Sequence, residues 1–271
     1  MNAQDSTASA AEPTVSQLLD LTGKVALITG GGGHLGSAMS RALAEAGATV
    51  VLTSREKARA EITTGQLPGT AKHFGIELDQ MDSASIERGW HEAIARAGRI
   101  DVLVNNGHEA LAADLVTVAA DEFSRHLANA TGYFLLARLA HNHAVARGGS
   151  ASIVMIGSMY GLVGSYPDAY AGITNASPVA YHTLKGGIVH MTRHLAVYWA
   201  ADGVRVNCLS PGPFPSAKAD PRMVERLSAK SPMKRMGTPS ELKGAIVFLA
   251  SDASSYMTGQ NLVIDGGWTA W

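Results

Sequence analysis

From residue 24 onward, short apolar runs rich in β-branched residues alternate with longer segments in which apolar residues return every three or four positions. The short runs are residues 24–29 (KVALIT), 48–53 (ATVVLT), 73–78 (HFGIEL), 100–106 (IDVLVNN), 151–158 (ASIVMIGS), 204–210 (VRVNCLS) and 261–265 (NLVID). Between them lie SAMSRALAEAG, a charged helical stretch after Arg55, SASIERGWHEAIARAG, DEFSRHLANATGYFLLARLAHNHA, a long helix from Tyr181 to Ala201, and PSELKGAIVFLAS. Strands that are apolar on both faces and separated by helices predict βαβ units around a parallel sheet. The pattern predicts about seven strands with helices on both faces, a doubly wound α/β architecture. Ligands of such sheets bind beyond the carboxyl ends of the strands.

Composition narrows the chemistry. Of 271 residues, 46% are hydrophobic and 17% charged, and 22 Lys+Arg face 23 Asp+Glu. A formal charge of −1 supplies no basic field for nucleic acid or an anionic membrane, so a small-molecule substrate is expected. No segment approaches the roughly 20 uninterrupted apolar residues that cross a bilayer. The polar start MNAQDSTASAAEPTVSQ lacks the pattern of a secretory signal and reads as a flexible extension, residues 1–20, ahead of one domain over residues 21–271. The lone cysteine, Cys208, cannot form an internal disulfide, which fits a reducing, cytoplasmic location, and reads as a buried inert thiol.

The 29 glycines are an excess, and several cluster. Strand 24–29 runs straight into Gly30-Gly31-Gly32-Gly33-His34-Leu35-Gly36 and then a helix. Gly31, Gly33 and Gly36 satisfy G-x-G-x-x-G, in which absent side chains permit a tight turn and let a pyrophosphate reach a helix N-terminus. This is the dinucleotide signature of a Rossmann fold. At the end of the second strand, Ser54 and Arg55 stand where NAD-specific sites usually place an acid. A guanidinium suits a 2′-phosphate, which favours NADP(H) and leaves NAD(H) possible if Arg55 only stacks on adenine.

Tyr181 and Lys185 are four residues apart, hence on one helical face. They follow a strand ending in Ser158 and precede VRVNCLSPG. Taken with the glycine turn, these motifs resemble the short-chain dehydrogenase/reductase family over nearly the whole chain, residues 21–271. Thr29, Gly30 and Gly36 match its Thr-Gly-x-x-x-Gly-x-Gly, with His34 at the middle glycine. His34 either points its imidazole at the phosphates or is a tolerated substitution. The resemblance implies a carboxylate beside adenine at Asp79 and an Asn-Asn-Ala-Gly motif at Asn105 and Asn106, where Gly107 and His108 replace the last two residues. It also implies a Pro-Gly loop beside nicotinamide at Pro211 and Gly212, with Ser216 where threonine is commoner, and a mobile substrate lid over residues 215–233.

The implied catalytic set is Asn129, Ser158, Tyr181 and Lys185. Hydride transfer to a carbonyl builds negative charge on oxygen, so the site needs a hydrogen-bond donor, Ser158, and a proton donor or acceptor, Tyr181. Bringing a tyrosine from near 10 to about 7 takes roughly 4 kcal/mol of phenolate stabilisation. A cation at ~4 Å in an effective dielectric near 20 supplies about that much, and Lys185 is placed for it. By resemblance, Lys185 also holds the nicotinamide ribose and Asn129 positions water for a proton relay.

Ser158 and Tyr181 are 23 positions apart, about ten more than is usual in the family. The added stretch SYPDAYAGITNASP carries Tyr166, Asp168, Tyr170 and Asn175. With His108, the residues Tyr166, Tyr170 and Asn175 are candidates for substrate contact, unless the insertion only builds a subunit contact. Similar insertions mark relatives acting on sugars and sugar acids, with gluconate-type dehydrogenases and flagellin-glycan reductases the nearest resemblances. Trp268 and Trp271, apolar residues at the chain end, point to a homotetramer or homodimer in which the tail packs on a neighbour, with packing inside one subunit as the alternative. His190 and His194 lie one turn apart without a third ligand, and no metal is expected. The expected activity is NAD(P)-dependent interconversion of a secondary alcohol and a ketone on a sugar-like substrate. Two other readings stand beside it: a 3-oxoacyl thioester reductase, and a catalytically silent dinucleotide-binding regulator.

Overall fold

The computed structural model describes residues 12–110, 113–175 and 177–270. Its sheet comprises β1 (Val25–Thr29), β2 (Thr49–Ser54), β3 (Phe74–Glu77), β4 (Val102–Asn105), β5 (Ala151–Ile156), β6 (Val204–Pro211) and β7 (Asn261–Ile264). The spatial order is β3-β2-β1-β4-β5-β6-β7 and every pairing is parallel. The order reverses between β1 and β4, which opens a crevice at their carboxyl ends. Every residue of β1, β4 and β5 is buried, which is why those runs show no polar alternation.

The helices are α1 (Val15–Leu19), α2 (His34–Glu45), α3 (Lys57–Thr64), α4 (Ser83–Ala97), α5 (Ala120–Ala146), α6 (Pro167–Tyr170), α7 (Val179–Trp199), α8 (Pro221–Lys230) and α9 (Lys243–Ala250). One sheet face buries Trp90 of α4, Leu136 of α5 and Ile188 of α7 with Leu27 and Ile153. The other buries Met39 and Leu43 of α2 and Ile246 and Leu249 of α9 with Ile28 and Val154. Each fully buried aliphatic side chain contributes about 1.5–3 kcal/mol. Helix ends follow local chemistry: the Asp82 carboxylate caps α4 by accepting from Ala84 N, and Gly98, with φ of 82°, stops it.

Part of the segment read as an extension is ordered into a helix. Thr14 and Gln17 form a capping box that starts α1, which buries none of its own residues, and Leu21 behind it is fully buried. The tail also departs from expectation. Trp268 is 2% exposed and packs edge-on to Tyr166, with Met159, Ala169 and Leu227 around it, so it takes the intra-subunit alternative instead of reaching a neighbour. Trp271 lies outside the described residues.

Candidate active site

The glycine turn is locked to the end of β4 by polar contacts on Thr29. Thr29 Oγ1 accepts from Asn106 N at 2.9 Å and Gly107 N at 2.7 Å, while Asn106 Nδ2 donates to Thr29 O at 2.9 Å and Gly30 O at 3.1 Å. Gly30 has φ of 59°, a conformation that favours glycine. A β-carbon on Gly36 would overlap Gly30 O and crowd Asn106, so α2 approaches the turn only because position 36 is bare. Gly31 sits behind the turn against Ser40 and Leu52.

A cleft of about 500 Å³ crosses the carboxyl ends of the strands. Thr29, Gly30, Gly33, His34, Leu35, Gly36, Ser54, Arg55, Asp79, Asn106, Gly107, Pro211 and Gly212 line it, together with His108, Ser158, Tyr181 and Lys185. Sheet order sets its polarity. Ser54 ends β2 and Arg55 follows it at one end, Ser158 follows β5 at the other, and the glycine turn lies between them. Arg59 and Thr63 of α3 join the Arg55 end.

At the β5 end, Lys185 is 3% exposed and its ammonium donates to Ile156 O at 2.7 Å. It lies 5.7 Å from the centre of the Tyr181 ring and 5.6 Å from that of Tyr133. Burial pulls its pKa down to about 8. Burial also pushes the Tyr181 phenol above its ordinary value, and a hydrogen bond with Ser158 works in the opposite direction. Lys185 faces a carbonyl and aromatic rings in this arrangement, so the protonated phenol is the favoured form here.

Asn129, 1% exposed, is fully engaged. Its Oδ1 accepts from Gln80 Nε2 at 2.9 Å and Glu109 N at 2.8 Å, and its Nδ2 donates to His126 O at 2.8 Å and Glu109 O at 3.2 Å. His108 and His126 bring their Nε2 atoms within 3.4 Å, and the His108 ring stands edge-on to Tyr181 with centroids 5.4 Å apart. Burial, Lys185 and His126 hold His108 neutral, with a pKa lowered to about 3.

The insertion goes elsewhere. Tyr170 Oη shares a 2.7 Å hydrogen bond with Tyr160 Oη, Tyr166 packs on Trp268 under Lys230, and Asn175 is exposed. Asp168 pairs with Lys230 at 2.7 Å, and Arg226 donates to Asp168 O and Ala171 O. The added stretch therefore grips α8. Of the four residues expected to contact substrate, His108 lines the cleft and Tyr166, Tyr170 and Asn175 do not.

The enoyl-(acyl carrier protein) reductase family profile matches residues 33–269. Galactitol 2-dehydrogenase (L-tagatose-forming) from Cereibacter sphaeroides is 36% identical over 262 residues, covering 93% of this chain and 97% of that one. A short-chain dehydrogenase from Leptospira borgpetersenii, solved with bound NAD+, superposes with a TM-score of 0.83 at 30% identity, covering 96% of this chain and 97% of that one. The chain is a short-chain dehydrogenase/reductase. A gluconate 5-dehydrogenase from Burkholderia cenocepacia, solved with NADP and tartrate, matches it with a TM-score of 0.82 at 29% identity, over 95% of this chain and 100% of that one.

This dehydrogenase/reductase is thus an NAD(P)-dependent oxidoreductase acting on CH–OH groups, and its own geometry suits the cofactor. The bare Gly32 and Gly33 ahead of α2 leave its N-terminal amides open to a pyrophosphate, in line with the glycine turn and cleft. Sequence reading missed Arg59, Gln80, His126 and the Glu109–Arg125 ion pair at 2.6 Å. Gln80 directly follows Asp79 at the end of β3, so its position was a readable signal; His126 precedes Asn129 by one helical turn and carried none without its partner.

Proposed function

We propose that this short-chain dehydrogenase/reductase interconverts a secondary alcohol and a ketone on a hydroxyl-rich substrate of the sugar-alcohol or sugar-acid kind, with NADP(H) as its preferred cofactor. The observation that carries the reading is the convergence of Ser158, Tyr181 and Lys185 on one cleft with the glycine turn, under a polar lining of Gln80 and His108. Nicotinamide supplies or takes the hydride when bound. Ser158 donates a hydrogen bond to the substrate oxygen as negative charge grows there, where a preorganised donor counts most. Tyr181 transfers the proton, and its protonated phenol suits the reductive direction. Lys185 supplies the buried cation that favours phenolate when the reaction runs toward the ketone. Asn129, held on every side-chain atom that can bond, fixes the strand-end loop around this centre.

Cofactor preference rests on Ser54, Arg55 and Arg59 at the end of the cleft, since two guanidiniums match a 2′-phosphate. Exposed Val145, Val197 and Tyr198 on neighbouring helices α5 and α7 support self-association as a homodimer or homotetramer. Nicotinamide absorbance with alditols, aldonates and ketoacyl thioesters tests the reading. Turnover of alditols or aldonates is expected; turnover of thioesters alone would establish the acyl-carrier reading, and uniform inactivity with cofactor bound would establish a silent regulator.

A further inference from the structure

We infer that His108, with its tautomer fixed by His126, selects substrates that carry a second, uncharged oxygen on the carbon beside the reacting one: vicinal diols in one direction and α-hydroxyketones in the other. The inference rests on the alcohol–ketone reading above.

The argument begins with the tautomers. His126 is 3% exposed, and its Nδ1 is buried with no hydrogen-bond partner, while its Nε2 faces His108 Nε2 at 3.4 Å. A buried orphan N–H is rarer and costlier than an orphan acceptor. The proton of His126 therefore sits on Nε2 and is donated to His108 Nε2. That acceptance forces the proton of His108 onto Nδ1, its other ring nitrogen. Among the described residues no group accepts from that nitrogen, and His108 lines the cleft.

Position supplies the next step. The His108 ring stands against Tyr181, the residue proposed to exchange a proton with the reacting oxygen, with ring centres 5.4 Å apart. His126 flanks the same ring, with centroids 5.0 Å apart, and itself lies 6.3 Å from Tyr181. The charged groups facing the pair are Lys185, and Glu109 with its partner Arg125. Burial and the Lys185 cation keep both imidazoles neutral, so the site offers an N–H without net charge. A neutral donor favours a hydroxyl or ketone oxygen, whereas a carboxylate would draw on a cation. A ligand oxygen one carbon from the reacting centre would meet Nδ1–H while its neighbour meets Ser158 and Tyr181.

The test compares reduction of acetoin and butanone, which share a carbon skeleton and differ by the adjacent hydroxyl, in wild type, His108→Phe, His126→Leu and His126→Gln. The expected result is a fall of roughly 30-fold in the acetoin-to-butanone ratio of kcat/KM for His108→Phe, the size of one lost hydrogen bond in a dry site. His126→Leu should lower the ratio about tenfold. His126→Gln, whose amide N–H can replace the imidazole donor, should restore it, an outcome that a merely structural role for His126 does not produce. Cofactor binding, followed by nicotinamide fluorescence, reports folding of each variant. A ratio that stays within about threefold in His108→Phe overturns the inference and leaves the alcohol–ketone reading intact. Reduction of neither ketone by wild type with bound cofactor overturns the inference, and inactivity on alditols and aldonates as well overturns the reading beneath it.

Discussion

Gln80 occupies the volume that a β-carbon on residue 107 would need: a side chain there would overlap Gln80 Oε1 and crowd its amide carbon. The same amide donates to Asn129 Oδ1 at 2.9 Å, so the glycine at 107, the glutamine at 80 and the asparagine at 129 are one packing unit. Gly132 completes it, because a β-carbon there would strike the Gln80 carbonyl. What reads in the sequence as loss of the family's Asn-Asn-Ala-Gly motif is compensated across the sheet.

Gly107→Ala is therefore predicted to break the Gln80–Asn129 hydrogen bond and destabilise the protein by about 1–3 kcal/mol, the usual effect of leaving a buried polar group unpaired. Gln80→Val alone should also be destabilising, because Asn129 Oδ1 then keeps only Glu109 N of its two donors and the packing against Gly107 and Gly132 is lost. The double variant should recover much of the loss, with a coupling of about 1–2 kcal/mol between the sites. Denaturant unfolding of the four proteins measures it; strictly additive effects would refute the unit.

The sheet, its strand number and the residues that meet in the cleft at the strand ends were legible in the sequence because they are written in local signals: apolar runs at strand spacing, a glycine turn between strand and helix, and Tyr181 four residues before Lys185. The insertion was located but its role was not. Tyr166 and Tyr170 look like ligand contacts in a linear reading, yet Lys230 and Arg226, about sixty positions later, draw that stretch onto α8. Trp268 illustrates the same limit, since the pocket that buries it is built from α6, α8 and the turn after β5. His108 and His126 are separated by 18 positions and meet only because α5 runs back past the end of β4. Long-range side-chain pairing of this kind leaves no periodic trace.

At the far end of the cleft, removing the Arg55 guanidinium should weaken NADPH binding more than NADH binding. Arg55→Ala is predicted to raise KM for NADPH about tenfold and leave KM for NADH within about twofold, because an exposed charge-assisted hydrogen bond contributes about 1–2 kcal/mol. Arg55→Ala with Arg59→Ala should extend the effect. Equal changes for both cofactors would mean that Arg55 stacks on the adenine they share.

Tyr181→Phe removes the oxygen proposed to transfer the proton and little else. Its predicted effect is a loss of at least about a thousandfold in kcat with cofactor affinity largely spared, and Ser158→Ala should cost about a hundredfold or more. Steady-state rates alongside cofactor fluorescence titration separate chemistry from binding. Substantial activity in Tyr181→Phe would overturn the assignment of the proton donor.

Lys185 places function and stability in opposition. Its pKa falls from 10.5 in a solvated chain to about 8 in the folded protein, a difference equivalent to about 3 kcal/mol against the folded state. The sign follows from proton counting: between pH 8 and 10.5 the unfolded chain binds more protons than the native one, so this group's penalty shrinks as pH rises through that window. Below pH 8 both states are protonated and the full penalty applies. Lys185→Met removes the charge but also leaves Ile156 O without its 2.7 Å donor, which offsets about 1 kcal/mol. The variant should be inactive yet more stable than wild type by about 2 kcal/mol at neutral pH, with Tm higher by roughly 4–8 °C. That advantage should narrow steadily above pH 8, and thermal melts of both proteins across the window, without cofactor, check it. Burial holds the folded Tyr181 phenol above its ordinary value, so at the alkaline end it is the unfolded tyrosine that titrates, and that residue is present in both chains. A variant less stable than wild type at neutral pH would show that the Ile156 contact outweighs the cost of burying the ammonium.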